Sequence, residues 1–68
     1  MNLTVETERE EDGRWIAEVT DLPGVLAYGA TRERAVANAE ALALRVIAER
    51  LENDEIVPDM AGLFLVAA

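Results

Sequence analysis

DLPGVLAYGATRERA, residues 21–35, is the stretch whose reading decides the fold. It opens on Asp21-Leu22-Pro23-Gly24. Pro23 has no N–H to give to a sheet ladder, and Gly24 admits the positive φ that a tight turn needs. Val25-Leu26-Ala27-Tyr28 then reads as a short strand that stops at Gly29. The run is apolar on both faces, the pattern of a strand covered on both sides or shared with a partner. Thr31 suits a helix N-cap, because its hydroxyl can accept a backbone N–H from the first turn. Glu33 puts negative charge where the helix dipole favours it. Turn, strand, break and helix start therefore follow one another within fifteen residues.

Upstream, two alternating segments predict a hairpin. Leu3, Val5 and Thr7 alternate with Thr4, Glu6 and Glu8 across residues 3–10. Trp15, Ala17 and Val19 alternate with Ile16, Glu18 and Thr20 across residues 14–20. Glu11-Asp12-Gly13 joins them, and Asp-Gly between alternating runs is a hairpin signal. A two-residue turn at Asp12-Gly13 would set Glu8 opposite Ala17 and Glu6 opposite Val19, mismatching the apolar faces. A three-residue loop with Gly13 left-handed sets Val5 opposite Val19 and Arg9 opposite Trp15. Leu3, Val5, Ala17 and Val19 then share one face. In that register the Arg9 guanidinium is expected over the Trp15 ring. Ile16, with either Leu26 or Tyr28, is expected on the other face among Glu6, Glu8, Glu18 and Thr20.

Downstream, an Ala- and Leu-rich stretch runs without Gly or Pro from Thr31 to about Leu51, and Asn53 is read as a left-handed stop. On a helical wheel Ala35, Val36, Ala39, Leu42, Ala43, Val46 and Ile47 make one broad apolar stripe, the face expected against the sheet. Nearly opposite lie Ala37, Ala41, Leu44, Ala48 and Leu51. Arg34, Asn38, Arg45 and Glu49 form a polar strip. One helix over one sheet needs one apolar face, so the second stripe marks Ala37, Ala41, Leu44, Ala48 and Leu51 as candidates for an oligomer interface. Residues 52–62 read as an acidic loop and Leu63-Phe64-Leu65-Val66 as a final, covered strand. The expected fold is α+β: a β-β-β-α-β order, an antiparallel sheet with one helix across one face.

Composition narrows the function. Sixty-eight residues predict a single domain over 1–68, whose core usually supplies about 3–5 kcal/mol at best. Disulfides, metal and oligomerisation are the usual supplements. With no cysteine and no histidine, disulfides, thiolate zinc sites and histidine acid–base chemistry are ruled out, leaving oligomerisation. No apolar run approaches the roughly 18 residues that span a bilayer, and the N-terminus lacks the basic and apolar regions of a signal peptide. The expectation is a soluble cytoplasmic protein with no membrane contact. Fourteen acidic residues against six basic ones, all arginine, give a net charge of −8. Such a chain repels phosphate backbones, so no direct nucleic-acid partner is expected, and a basic protein is the natural complement.

The ordered set Asp12-Gly13 and Trp15, Asp21-Leu22-Pro23-Gly24-Val25, Gly29-Ala30-Thr31, Glu33 and Ala35 resembles the HicB-like antitoxin family across nearly the whole chain. The resemblance implies a small domain with a partial ribonuclease-H-like fold. It further implies the antitoxin half of a toxin–antitoxin pair. The partner would be a small basic HicA-like toxin, a double-stranded-RNA-binding-like ribonuclease that cleaves messenger RNA. The antitoxin would bind it and cover its active site. Two departures stand out. Many relatives carry a C-terminal DNA-binding domain, which is not expected here, so operator binding is not carried over. Ala30 stands where relatives often have Asp.

Two other readings fit the same residues. A ribonuclease-H-like sheet invites a search for carboxylates holding Mg²⁺. Glu6 and Glu18 are expected to approach each other on the face away from the helix, with Glu8 nearby. Glutamates on a solvated sheet face are ordinary patterning, so the expectation is no enzyme activity, no catalytic residue, no metal and no cofactor. The remaining reading is an orphan homo-oligomeric domain of the same fold, with a structural or protein-binding role and no toxin partner.

Overall fold

The computed structural model describes residues 3–53. Three antiparallel strands come first: β1 over Val5–Arg9, β2 over Trp15–Val19 and β3 over Leu26–Gly29. One helix, α1, follows over Arg32–Glu52 and packs across the sheet. Sheet order is β1-β2-β3. The β-β-β-α arrangement is the α+β class expected; the final strand read at residues 63–66 lies outside the described residues.

The hairpin takes the register that keeps apolar faces together. Val5 lies opposite Val19, Thr7 opposite Ala17 and Arg9 opposite Trp15. Glu10 and Arg14 close the loop, the Glu10 N–H reaching the Arg14 carbonyl at 2.7 Å, and Gly13 adopts φ 90°. The Arg9 guanidinium, however, does not make the cation–π contact expected of it. The arginine over an aromatic ring is Arg14, 4.7 Å from the Tyr28 centroid on the opposite face of the sheet. Arg9 instead lies at the hairpin tip, one of its guanidinium nitrogens 4.0 Å from where a Cβ on Gly13 would sit. Cross-strand opposition sets Cα positions, and a long side chain is free to leave its partner.

Leu22-Pro23-Gly24-Val25 forms a turn closed by the Val25 N–H on the Leu22 carbonyl at 3.1 Å, with Gly24 at φ 83°. Proline second and a positive-φ glycine third is the sequence logic of a type II turn. The turn folds Leu22 and Val25 inward, where both are buried. Asp21 turns its carboxylate to the neighbouring strand entry, accepting the Thr4 N–H at 2.7 Å.

The helix begins as expected, with the Thr31 hydroxyl accepting the Arg34 N–H at 3.1 Å. Its end differs. Asn53 is not left-handed: φ is −96° and ψ 18°. The Asn53 N–H and its side-chain amide both donate to the Glu49 carbonyl, at 3.0 and 2.8 Å. Two bonds on one orphan carbonyl take the place of the left-handed residue.

The core is thin. Its buried members are Ala17, Val19, Leu22 and Val25 from the sheet side and Ala35, Ala39, Ala43 and Ile47 from α1. Val36, Leu42 and Val46 pack half-buried beside them. The predicted stripe thus faces the sheet, but alanines occupy its deepest line. Gly29 shows how close the layers lie: a Cβ there would stand 2.4 Å from the Ala35 nitrogen and 2.8 Å from the Arg34 carbonyl carbon. The short side chains let the first turns of α1 rest almost directly on β3.

Candidate functional site

Among the described residues, two surfaces are left uncovered once the core is formed. The first is the face of the sheet turned away from α1. Alternation along β1, β2 and β3 brings Glu6, Glu8, Ile16, Glu18, Leu26 and Tyr28 to it. Ile16 lies opposite both Glu8 and Tyr28, and Glu18 lies opposite both Glu6 and Leu26. Leu26 and Tyr28 are both there, 38% and 43% exposed, because Val25 and Ala27 take the inward positions. β3 is therefore not covered on both sides by described residues. A cleft of about 160 Å³ runs between Glu6, Thr7, Glu8, Ile16 and Glu18.

Electrostatics on this face are unbalanced. Glu6 and Glu18 stand directly opposite each other, and like charges in that position destabilise a sheet by a fraction of a kcal/mol, on the order of 0.2–1. Arg14 is the cation at the margin, and it is already engaged. Its backbone N–H and its Nε donate to the Asp12 carboxylate at 3.0 and 2.8 Å, while its guanidinium covers Tyr28. The backbone N–H of Arg14 is the main reason the Asp12 carboxyl is held below its ordinary value; desolvation opposes it, and the guanidinium adds to the lowering. The Asp12–Arg14 pair ties the hairpin tip to β3. Among the described residues, Glu6, Glu8 and Glu18 make no ion pair.

Glu6 and Glu18 are cross-strand partners, as the register read from the sequence sets them. Among the described residues, though, no group of three or more carboxylates is arranged to hold a metal ion. Among the same residues, no helix is long and apolar enough to cross a membrane.

The second surface is the outer face of α1. Ala37, Ala41, Leu44, Ala48 and Leu51 are all exposed, Leu44 at 58% and Leu51 at 48%. The polar strip beside them is less uniform than its sequence suggests. Asn38 is half-buried and donates its side-chain amide to the Tyr28 carbonyl at 2.9 Å, fastening α1 to β3. Arg32 makes a similar tie at the other side of the sheet, Nε to the Thr7 hydroxyl at 3.2 Å. A small groove of about 150 Å³, lined by Leu3, Val5, Val19, Glu40, Ala43 and Leu44, links the outer helix face to the β1 side of the core.

No protein-family model, curated protein or solved structure matches this chain.

Proposed function

We propose that this protein is a binding protein of the HicB-like antitoxin type, which neutralises a small basic mRNA-cleaving toxin of the HicA-like kind by holding it against the open face of its sheet. The observation that carries the reading is the Glu6–Glu18 opposition, with Glu8 close by, set around Ile16, Leu26 and Tyr28. An apolar centre with a charged margin is the anatomy of a protein-binding patch. A partner's arginine or lysine placed between Glu6 and Glu18 replaces repulsion with two attractions, so docking relieves a strain that the free protein carries. The overall charge of −8 speeds the approach of a basic partner. No catalytic step is assigned to the protein itself.

The test is co-purification with the product of an adjacent small basic reading frame, together with growth rescue when the two are co-expressed. Wild type is expected to bind and rescue. The Glu6→Lys/Glu18→Lys variant should fold, yet lose both effects. If no basic ribonuclease-like protein binds, or if the double variant binds as well as wild type, the reading fails. A second reading, an orphan homo-oligomeric domain with no toxin, is favoured by the exposure of Leu44 and Leu51 on the outer helix face. Self-association and toxin binding use opposite sides of the molecule and are separable by experiment.

A further inference from the structure

The outer stripe of α1 has a stricter order than an apolar face requires. Ala37, Ala41, Leu44, Ala48 and Leu51 are separated by four, three, four and three residues. That is a heptad seam: Ala41 and Ala48 occupy a positions, and Ala37, Leu44 and Leu51 occupy d positions. All five are exposed while α1 is fully seated on the sheet, so among the described residues the seam is surplus to the fold of one chain.

The flanks of the seam differ: the g positions hold Glu33, Glu40 and the buried Ile47, and the e positions hold Asn38, Arg45 and Glu52. Arg45 falls at the next e position after Glu40. Glu40 and Arg45 are both exposed, and neither makes an ion pair with a described residue. When two such helices pack in parallel, each g residue lies beside the partner's following e residue. Glu40 then meets Arg45 of the second copy, and two-fold symmetry makes the contact twice. In an antiparallel pair each flank meets its own counterpart, so the g edge lies along the g edge and Glu40 never meets Arg45.

We infer that α1 docks a second copy of this chain through a parallel, two-stranded coiled-coil seam centred on Leu44 and fixed in orientation by two Glu40–Arg45 pairs. The alanines at a positions let the helices approach closely and the leucines at d positions fill the seam. The helix is already ordered by its sheet, so a short seam does not carry the cost of folding a free helix. The sheets lie on the outside of the pair, and their open faces stay available. The inference deepens the homo-oligomeric reading and stands apart from toxin binding.

The chain has no cysteine, which makes orientation measurable. In the parallel pair an Ala37→Cys variant brings the two thiols across the seam, within reach of a disulfide. In an antiparallel pair the same residues stand on the order of 15–20 Å apart. The expected result is a dimer mass by light scattering for wild type and a covalent Ala37→Cys dimer on mild oxidation. Glu40→Arg or Arg45→Glu alone should raise the dimer dissociation constant about 5-fold, and the double exchange should restore it. Wild-type mass at the monomer value overturns the homo-oligomeric reading and the inference together. A dimer that cross-links only when Ala37→Cys is mixed with Ala48→Cys overturns the parallel orientation alone. A monomeric Ala37→Cys variant whose thiol reacts slowly with a thiol reagent means that the seam is already covered within one chain, and that also overturns the inference.

Discussion

Adding a single methyl group at Gly29 is expected to cost this protein much of its stability. Gly29 ends β3 beneath the first turn of α1, and the atoms a Cβ would meet are all backbone: the Ala35 nitrogen at 2.4 Å, the Arg34 carbonyl carbon at 2.8 Å and the Ala35 Cα at 2.9 Å. No side chain can rotate away. Ala35 is fully buried, so the helix must lift off the strand or the strand must bend. Overpacking of this kind costs about 1–3 kcal/mol. Against a core of this size, which supplies about 3–5 kcal/mol at most, Gly29→Ala should remove a large share of the total. For a domain this size each kcal/mol moves the melting midpoint by about 4–8 °C, so a loss of about 2 kcal/mol lowers it by about 8–16 °C. The assay is thermal unfolding followed by far-ultraviolet circular dichroism. Gly24→Ala is the comparison: nothing lies within 4 Å of a Cβ there, but φ is 83°, so its cost comes from backbone strain alone, about 1–2 kcal/mol. A Gly29→Ala midpoint within about 2 °C of wild type, well under the shift that overpacking predicts, would refute the claim that α1 rests on the β3 backbone.

Three further outcomes follow from the contacts described. Thr31→Ala removes the acceptor of the Arg34 N–H and should destabilise the fold by about 1 kcal/mol, read as a lower urea midpoint with unchanged slope. Glu6→Lys turns the Glu6–Glu18 opposition into an attractive pair. It should raise stability by about 0.2–1 kcal/mol while weakening capture of a basic partner, measured by melting and by pull-down on the same sample. Asp12 has its carboxyl lowered by Arg14, so its contribution is fully present above the ordinary aspartate value near ~3.9 and is lost as pH falls through the lower folded value. An NMR titration of the Arg14 amide should show that inflection below pH ~3.9, and Asp12→Asn should abolish it.

The backbone was legible in the sequence wherever two signals agreed. The hairpin register needed both the Asp-Gly loop and the alternation of Val5, Ala17 and Val19; either alone leaves a one-residue slip open. Pro23-Gly24 and Thr31 marked a turn and a cap whose chemistry leaves few alternatives. Side chains with long reach were less legible. Register sets only Arg9 opposite an aromatic, Trp15, while the arginine that covers a ring is Arg14, whose Nε is held by Asp12 at the hairpin tip. Asn38 reads as solvated because a wheel shows only angle, while its amide reaches a strand carbonyl ten residues back. The open sheet face was half legible: only one of Leu26 and Tyr28 was expected there, yet residues two apart on a strand share a face, and both are present. The outer helix stripe is exposed, as its angle on the wheel implies, and its heptad order lies in the spacing itself.

The alanine line under α1 also shapes how stability varies with temperature. Alanine buries little hydrocarbon, and the apolar area exposed on unfolding is what sets the heat-capacity change. With Ala17, Ala35, Ala39 and Ala43 making half of the buried core among the described residues, that change should fall below the usual ~12–15 cal/mol/K per residue. A small heat-capacity change flattens the stability curve. The protein is then modestly stable over a wide span of temperatures, with cold and heat denaturation pushed far apart, instead of strongly stable over a narrow one.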